Sequence, residues 1–180
     1  PNVGPFISKQ LIQKLVTGDP TPGYVARAAG VFNDNGAGVR GDLRAVVRAI
    51  LLDPEARGAV KLDPRYGKLR EPAKYVAGAA RALGASTDGV FFRAQTGAMG
   101  QPVYMATSVF NYYPPDYVVP GTTAPGPEFA IQNTSSTLAR ANFANTLAFA
   151  AAIAPDPTVF GATGTQIDWT PWTALSGNPG

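Results

Sequence analysis

Residues 100–129 read GQPVYMATSVFNYYPPDYVVPGTTAPGPEF, and this stretch decides how the rest of the chain can fold. Six of its residues are prolines, each of which removes a backbone hydrogen-bond donor and fixes φ, so no regular helix or strand can run through it. They are Pro102, Pro114, Pro115, Pro120, Pro125 and Pro127. A loop this long inside a compact domain is usually either functional or disordered, and its aromatic content argues against disorder. We therefore predict an ordered Pro/aromatic-rich loop over residues 101–129.

Helical signals precede this loop. Apolar residues recur there at three- and four-residue spacing, and helix starts are marked by capping residues and by prolines that suit a first turn. The predicted starts are Pro5, Thr21-Pro22, Asp42, Asp53-Pro54, Glu71-Pro72 and Asp88. The first half of the chain is therefore predicted to be a succession of amphipathic helices.

One long helix is predicted after the loop, from about Ser136 to Ile153, with Thr134 and Ser135 as caps. The segment 155–180 is rich in glycine, proline and threonine and is expected to be an irregular tail, held to the domain by Trp169 and Trp172. No convincing alternating strand is found. The fold class that follows is all-α, an irregular helical bundle forming a single domain over residues 1–180.

The composition excludes several kinds of chemistry. The chain contains no cysteine and no histidine, which removes thiolate nucleophiles, disulfides, imidazole metal ligands and every catalytic arrangement built on a histidine base. We expect no metal site and no cofactor, and we assign no catalytic residue. No apolar run approaches the roughly 20 residues that a membrane helix needs.

The positive charge is concentrated in the first 100 residues, which hold 14 of the 15 Lys and Arg. It is densest around Arg65, Lys68, Arg70 and Lys74, and an anion-binding role for these four residues is one hypothesis. No glycine-rich phosphate cradle accompanies them, and dispersed charged helix faces explain the same pattern. Because the basic residues and the aromatic residues lie in different stretches, no nucleic-acid partner is expected.

The candidate binding residues lie in the Pro/aromatic-rich loop. Tyrosine combines a flat apolar face with a hydroxyl group, which suits both sugar stacking and protein interfaces. The candidates are Tyr104, Phe110, Asn111, Tyr112, Tyr113, Asp116, Tyr117 and Glu128. The alternative is that the five rings only pack the loop onto the helices.

A second hypothesis is hydrolysis by a carboxylate pair, Asp116 and Glu128. Two carboxylates close to aromatic rings could have their pKa values pushed apart, as glycoside cleavage requires. The two acids are twelve positions apart with three prolines between them, so the sequence does not determine their distance. Asp116 as a turn cap and Glu128 as a helix start are the structural alternatives.

Several multi-residue blocks resemble one bacterial family, domain of unknown function 1800. They are PNVGPFISKQLIQKLVTGDPTPGYVARAAGVFNDNGAGVRGDLRAVVRAILLDPEAR, KLREP, GQPVYMATSVFNYYPPDY and PEFAIQNTS, and the resemblance covers roughly Pro1 to Phe149. Members of that family are longer and commonly exported. The resemblance therefore implies a missing N-terminal portion and a periplasmic, cell-envelope or extracellular location, but it implies no reaction and supplies no catalytic residues.

The function favoured by these observations is a non-catalytic binding or scaffolding module of an exported bacterial protein. Its expected contact is the Pro/aromatic-rich loop, and its expected partner is another protein, the missing N-terminal portion or a polysaccharide. Hydrolysis of an extracellular polymer by Asp116 and Glu128 is the first alternative. Self-association through the alanine-rich face of the last helix is the second.

Overall fold

The computed structural model describes residues 2–63, 66–150 and 152–177. Within them the protein is mostly helical, with eight α-helices, two short 3-10 helices and one small antiparallel sheet. The α-helices are α1 (Val3–Leu15), α2 (Pro22–Asn33), α3 (Leu43–Leu52), α4 (Pro54–Arg57), α5 (Pro72–Ala82), α6 (Val90–Ala98), α7 (Thr134–Phe149) and α8 (Thr170–Ser176). None of the described helices is long and apolar enough to cross a membrane.

The chain divides into two compact units. Unit 1 comprises Pro1–Leu69 and Tyr113–Ala130, and unit 2 comprises Arg70–Tyr112 and Ile131–Gly180. The Pro/aromatic-rich loop is therefore divided between the units, with residues 101–112 in unit 2 and residues 113–129 in unit 1. The prediction of a single domain over residues 1–180 stays a prediction.

Side-chain caps start the helices of unit 1 where the sequence predicts them. The Thr21 hydroxyl accepts a hydrogen bond from the Tyr24 amide at 3.2 Å, and the Asp42 carboxylate accepts one from the Ala45 amide at 3.1 Å. Asp53 caps α4 through the Glu55 amide at 2.9 Å. Each bond satisfies an amide at a helix start that would otherwise lack a partner.

The core of unit 1 is formed by the apolar faces of α1, α2 and α3. Its buried members are Ile12, Tyr24, Ala28, Phe32, Val46 and Ile50. The Tyr24 hydroxyl donates to the Ile50 carbonyl at 2.7 Å, so the polar end of this buried ring is satisfied.

The core of unit 2 is aromatic and centres on Phe143 of α7, which is 1% exposed. Its ring lies 5.5 Å from the Tyr75 ring, 6.2 Å from the Phe91 ring and 6.1 Å from the Phe92 ring, measured between centroids. Helices α5, α6 and α7 therefore meet on one side chain.

The protein is mostly helical as predicted, but a small sheet makes the all-α prediction inexact, and one of its strands together with α8 corrects the expectation of an irregular tail. Strands β1 (Ser86–Thr87), β2 (Ala152–Ile153) and β3 (Thr165–Gln166) form an antiparallel sheet in the order β1-β3-β2. Ser86 pairs with Gln166 on one side and Ala152 pairs with Gln166 on the other. Strands of two residues are too short to produce a visible alternation, so the sequence pattern gives no sign of them.

The last long helix is also corrected at both ends. Asn133, rather than Thr134 or Ser135, caps α7, in a reciprocal capping box in which Asn133 and Ser136 each accept the other's backbone amide. The helix ends at Phe149 rather than at Ile153, because Ile153 belongs to β2. Trp169 packs on the core of unit 2, whereas Trp172 is 47% exposed.

The Pro/aromatic-rich loop is free of helix and strand as far as Gly126, as predicted. It contains two isolated bridges, Ser108 with Asn111 and Val118 with Pro125, and a 3-10 helix begins at Pro127.

We predict that Phe143→Ala lowers the free energy of unfolding by about 3 to 5 kcal/mol, because it removes the ring that three helices share. Phe149→Ala is the matched control, since this phenylalanine of the same helix is 89% exposed, and it should change stability by less than about 0.5 kcal/mol. Chemical denaturation followed by circular dichroism measures both. Equal losses for the two variants would contradict the central role of Phe143.

Candidate functional site

The candidate residues are distributed over both units. Those in unit 2 are Tyr104, Phe110, Asn111, Tyr112, Arg70 and Lys74, and those in unit 1 are Tyr113, Asp116, Tyr117, Glu128 and Lys68. Arg65 lies outside the residues that the structure describes. Each set is considered within its own unit.

In unit 1 the Tyr113 ring has a packing role. It is 3% exposed, and the ammonium group of Lys14 lies 4.3 Å from its centroid and within 3.3 Å of its hydroxyl. Tyr117 is half-buried, and its carbonyl accepts the Gly126 amide at 2.9 Å within a hairpin-like turn. For Tyr113 the packing alternative therefore describes the ring better than ligand binding does.

Glu128 is buried and forms an ion pair with Lys68. The two side chains are 2% and 11% exposed, and Lys68 Nζ lies 2.7 Å from Glu128 Oε1. The same ammonium group donates to the carbonyls of Gln13 at 2.7 Å and Lys14 at 3.2 Å. Because an ammonium group has three donors, Lys68 is fully occupied within unit 1.

The surroundings of Lys68 and Glu128 favour neither the anion-binding hypothesis nor the carboxylate-pair hypothesis. Lys68 is engaged by three internal acceptors rather than presented to an external anion. Asp116 is exposed, whereas Glu128 is buried against a cation, so nothing in their surroundings favours a cooperating acid-base pair. Glu128 and Lys68 instead join the end of the loop to the end of α1.

In unit 2 the most exposed candidate is Tyr104. Its side chain is 100% exposed. Its backbone φ is +67°, which lies in the left-handed region that residues other than glycine rarely adopt. Tyr104 is the third residue of a turn closed by the Met105 amide on the Pro102 carbonyl at 3.1 Å. The Tyr112 hydroxyl supports this turn, because it donates to the Pro102 carbonyl and accepts the Met105 amide. Phe110 is 46% exposed in a second turn.

A buried amide joins this turn to the start of α5. Gln101 is 4% exposed; its Oε1 accepts the Ala73 amide at 2.7 Å and its Nε2 donates to Glu71 Oε2 at 2.8 Å. The Asn111 side-chain amide approaches the same carboxylate oxygen at 3.5 Å. The chain on either side of the Tyr104 turn is therefore tied to the first residues of α5.

An apolar groove lies between α5, α6 and the Tyr104 turn. Its volume is about 330 Å³, and its exposed wall is almost entirely carbon. It is lined by Ala73, Val76, Ala77, Gly89, Phe92, Arg93, Thr96, Val103 and Tyr104. A groove of this kind offers apolar contact and few hydrogen-bonding groups.

A basic groove of about 560 Å³ adjoins the apolar groove along α5. It is lined by Arg70, Glu71, Ala73, Lys74, Ala77, Gly78 and Arg81, so it shares Ala73 and Ala77 with the apolar groove. Lys74 Nζ lies 3.1 Å from Glu71 Oε1. We call the two adjoining grooves together the α5 surface.

Arg140 of α7 holds the backbone at Arg70, the first residue of the α5 surface. Its Nη2 donates to the Arg70 carbonyl at 2.9 Å, and its guanidinium lies 5.3 Å from the centroid of the Tyr75 ring. Burial lowers the pKa of Arg140 from its ordinary value, and the neighbouring Tyr75 opposes this effect.

Sequence reasoning identified Tyr104, Arg70 and Lys74 but missed the rest of the α5 surface. Small residues at positions 73 and 77 and basic residues at 70, 74 and 81 follow helical spacing, so one helix presents both sets. The contribution of α6, through Phe92 and Arg93, depends on contacts that no local pattern reveals.

The fold and the site together define a mostly helical protein with two adjoining open grooves on α5. Residues 1–173 match the family described as Protein of unknown function (DUF1800). The chain belongs to this family, and the match extends beyond Phe149, where the resemblance in the sequence blocks ended. No curated protein and no solved structure matches the chain.

We predict that Lys68→Met lowers the free energy of unfolding by about 3 to 5 kcal/mol, because it leaves the buried Glu128 carboxylate without its cation. Glu128→Gln should also destabilise, and the double variant should lose less than the sum of the two single losses. Lys61→Met, which removes an exposed cation, is the control. If Lys68→Met costs no more than Lys61→Met in urea denaturation, the buried pair has no structural role.

We predict that Gln101→Ala lowers the free energy of unfolding by about 1 to 3 kcal/mol, since the Ala73 amide and the Glu71 carboxylate each lose a buried partner. Gln95→Ala, on the half-buried Gln95 of α6, is the matched control. Thermal denaturation of the two variants under the same conditions compares them. Indistinguishable melting temperatures would show that the amide does not hold the turn.

Proposed function

We propose that the chain is a non-catalytic protein-binding module of an exported bacterial protein, and that unit 2 binds the partner with Tyr104 and the apolar groove. The observation that carries this proposal is the state of Tyr104, a fully exposed ring on a left-handed backbone beside an apolar groove. Location in the periplasm, cell envelope or extracellular space is proposed on the family resemblance alone.

The conformation of Tyr104 costs free energy that its own contacts do not return. A residue with a Cβ in the left-handed region is destabilised by about 1 to 3 kcal/mol. At 100% exposure its ring gains no burial within the chain to offset this cost. A binding partner that covers the ring would supply that burial, and exposed tyrosines are frequent contributors to interface energy.

The groove supports a protein partner over a polysaccharide. Sugars need hydrogen-bond donors and acceptors around a stacking ring, and the exposed wall of this groove provides almost none. An aliphatic or aromatic side chain of a protein needs only apolar contact. The volume of about 330 Å³ suits one or two such side chains.

We predict that Tyr104→Gly keeps stability within about 1 kcal/mol of the original protein or raises it, because glycine adopts a positive φ without a Cβ penalty. The same variant should weaken partner binding by at least about tenfold, since it removes the ring. Phe160→Ala is the control, because Phe160 is an equally exposed aromatic residue of unit 2 that does not line the groove.

Binding is measured with peptides selected from a displayed random library on the original protein, then titrated against both variants. Peptides that bind the original protein and Phe160→Ala but not Tyr104→Gly support the proposal. Peptides that bind Tyr104→Gly equally well would overturn it. Enrichment of no peptide, together with binding to an oligosaccharide panel, would favour a polysaccharide partner instead.

A further inference from the structure

We infer that the partner binds through an acidic peptide segment, whose apolar side chain enters the apolar groove while its carboxylates contact arginines of the α5 surface. This inference rests on the proposed function and specifies the chemistry of the partner. It is carried by the arrangement of charge around the two grooves.

The two grooves form one continuous surface for a ligand that crosses α5. Both include Ala73 and Ala77, which are one helical turn, or about 6 Å, apart. Neither side chain extends beyond a methyl group, so the ridge between the grooves is low. A peptide lying across this ridge contacts the apolar and the basic groove at the same time.

Three exposed arginines border this surface: Arg93 on the apolar groove, and Arg70 and Arg81 on the basic groove. The one carboxylate among the lining residues, Glu71, is buried and already engages Lys74, Gln101 and Asn111. The arginine charges are therefore not balanced by the surface itself, and their complement is an acidic ligand.

The remaining carboxylates of unit 2 accept hydrogen bonds from backbone amides and a hydroxyl and line neither groove. Asp88 accepts the amides of Val90, Thr163 and Gly164. Asp156 accepts from Thr158, and Asp168 accepts the Thr170 amide. None of these three acids lines the α5 surface, so none of them offsets the arginines.

The backbone of Arg70 is fixed before any ligand arrives. Its carbonyl is held by Arg140, and its guanidinium lies over Gly78, where an added Cβ would come within 3.3 Å of Nη1. A group that is already in place loses less conformational freedom on binding. Glycine within helix α5 is otherwise unfavourable, so its presence at this position is consistent with room kept for the guanidinium.

A peptide fits this surface better than a nucleic acid does. Phosphate contacts could use the arginines, but a base edge needs hydrogen-bonding partners that the apolar groove lacks. The first amide of α5 that could face an anion, that of Ala73, already donates to Gln101. Carboxylates on either side of an apolar side chain match both grooves.

The test uses the complete chain and fluorescently labelled synthetic peptide pools. One pool carries Leu, Phe or Trp flanked by Asp and Glu, and a second replaces the acids by Asn and Gln. A single-stranded DNA oligonucleotide is the third probe. Fluorescence anisotropy gives the affinity of each probe for the original protein and for its variants.

We expect the acidic pool to bind at least about tenfold more tightly than the neutral pool, and to lose affinity as salt rises from about 0.05 to 0.5 M. Replacement of Arg70, Arg81 and Arg93 by Gln should weaken the acidic pool by about tenfold or more. Arg44→Gln combined with Arg48→Gln, on α3 of unit 1, tests for an effect of net charge and should leave binding nearly unchanged.

Gly78→Ala separates binding from stability, because a loss of affinity without a loss of stability is not explained by a purely structural role of this surface. It should raise stability by up to about 1 kcal/mol through helix propensity, yet weaken the acidic pool because Arg70 is displaced. Unchanged affinity in this variant and in the triple arginine variant would overturn the inference.

The outcomes separate this inference from the proposed function. Both pools could bind equally, with an affinity that depends on Tyr104 and not on the arginines. In that case the proposed binding by Tyr104 and the apolar groove stands, and the inference of an acidic partner is wrong. If the acidic pool depends on the arginines but not on Tyr104, the acidic partner stands and the groove function is wrong. Equal binding of DNA with the same arginine dependence would mean that the surface recognises polyanions in general, which overturns the peptide. If no probe binds, both fail.

Discussion

The side-chain amide of Gln101 is the contact on which the placement of the Tyr104 turn beside α5 depends. One end of this amide accepts the Ala73 amide at the start of α5, and the other end donates to the Glu71 carboxylate. A single buried group therefore caps a helix that begins with proline and fixes the chain that leaves α6. Because Gln101 directly precedes the turn that carries Tyr104, the exposed ring and the groove beside it are placed by the same two hydrogen bonds.

The α5 surface also depends on what α5 lacks. Alanine at positions 73 and 77 and glycine at position 78 leave a strip of α5 without large side chains between its charged residues, while Val76 packs in the core. Small side chains on a helix leave a groove where a neighbouring element packs beside them. Here the neighbouring elements are α6 and the Tyr104 turn. The charged side chains on either side are then brought next to apolar surface, an arrangement typical of protein interfaces.

The parts of this structure that the sequence predicted are those decided by neighbouring residues. Thr21, Asp42 and Asp53 cap helices because their side chains reach amides two or three positions away. The end of α7 was missed because the alanines that follow Phe149 favour helix locally, whereas pairing with β3 requires a segment more than ten residues further on. Lys68 and Glu128 are 60 positions apart, so their ion pair has no local signal. The candidate site was predicted only in part for the same reason. Tyr104 was identified because it lies in an aromatic-rich loop, whereas no local pattern marks the groove beside it.

The placement of the two tryptophans has an optical consequence. Both Trp169 and Trp172 belong to unit 2, so tryptophan emission reports the unfolding of that unit alone, whereas far-ultraviolet dichroism averages over the helices of both. Trp169, packed on the aromatic core, is the more informative emitter, because Trp172 is already half in contact with solvent. Coincidence or separation of the two signals during heating distinguishes one cooperative transition from two. The native chain thus contains its own reporter of whether the two compact units behave as one domain.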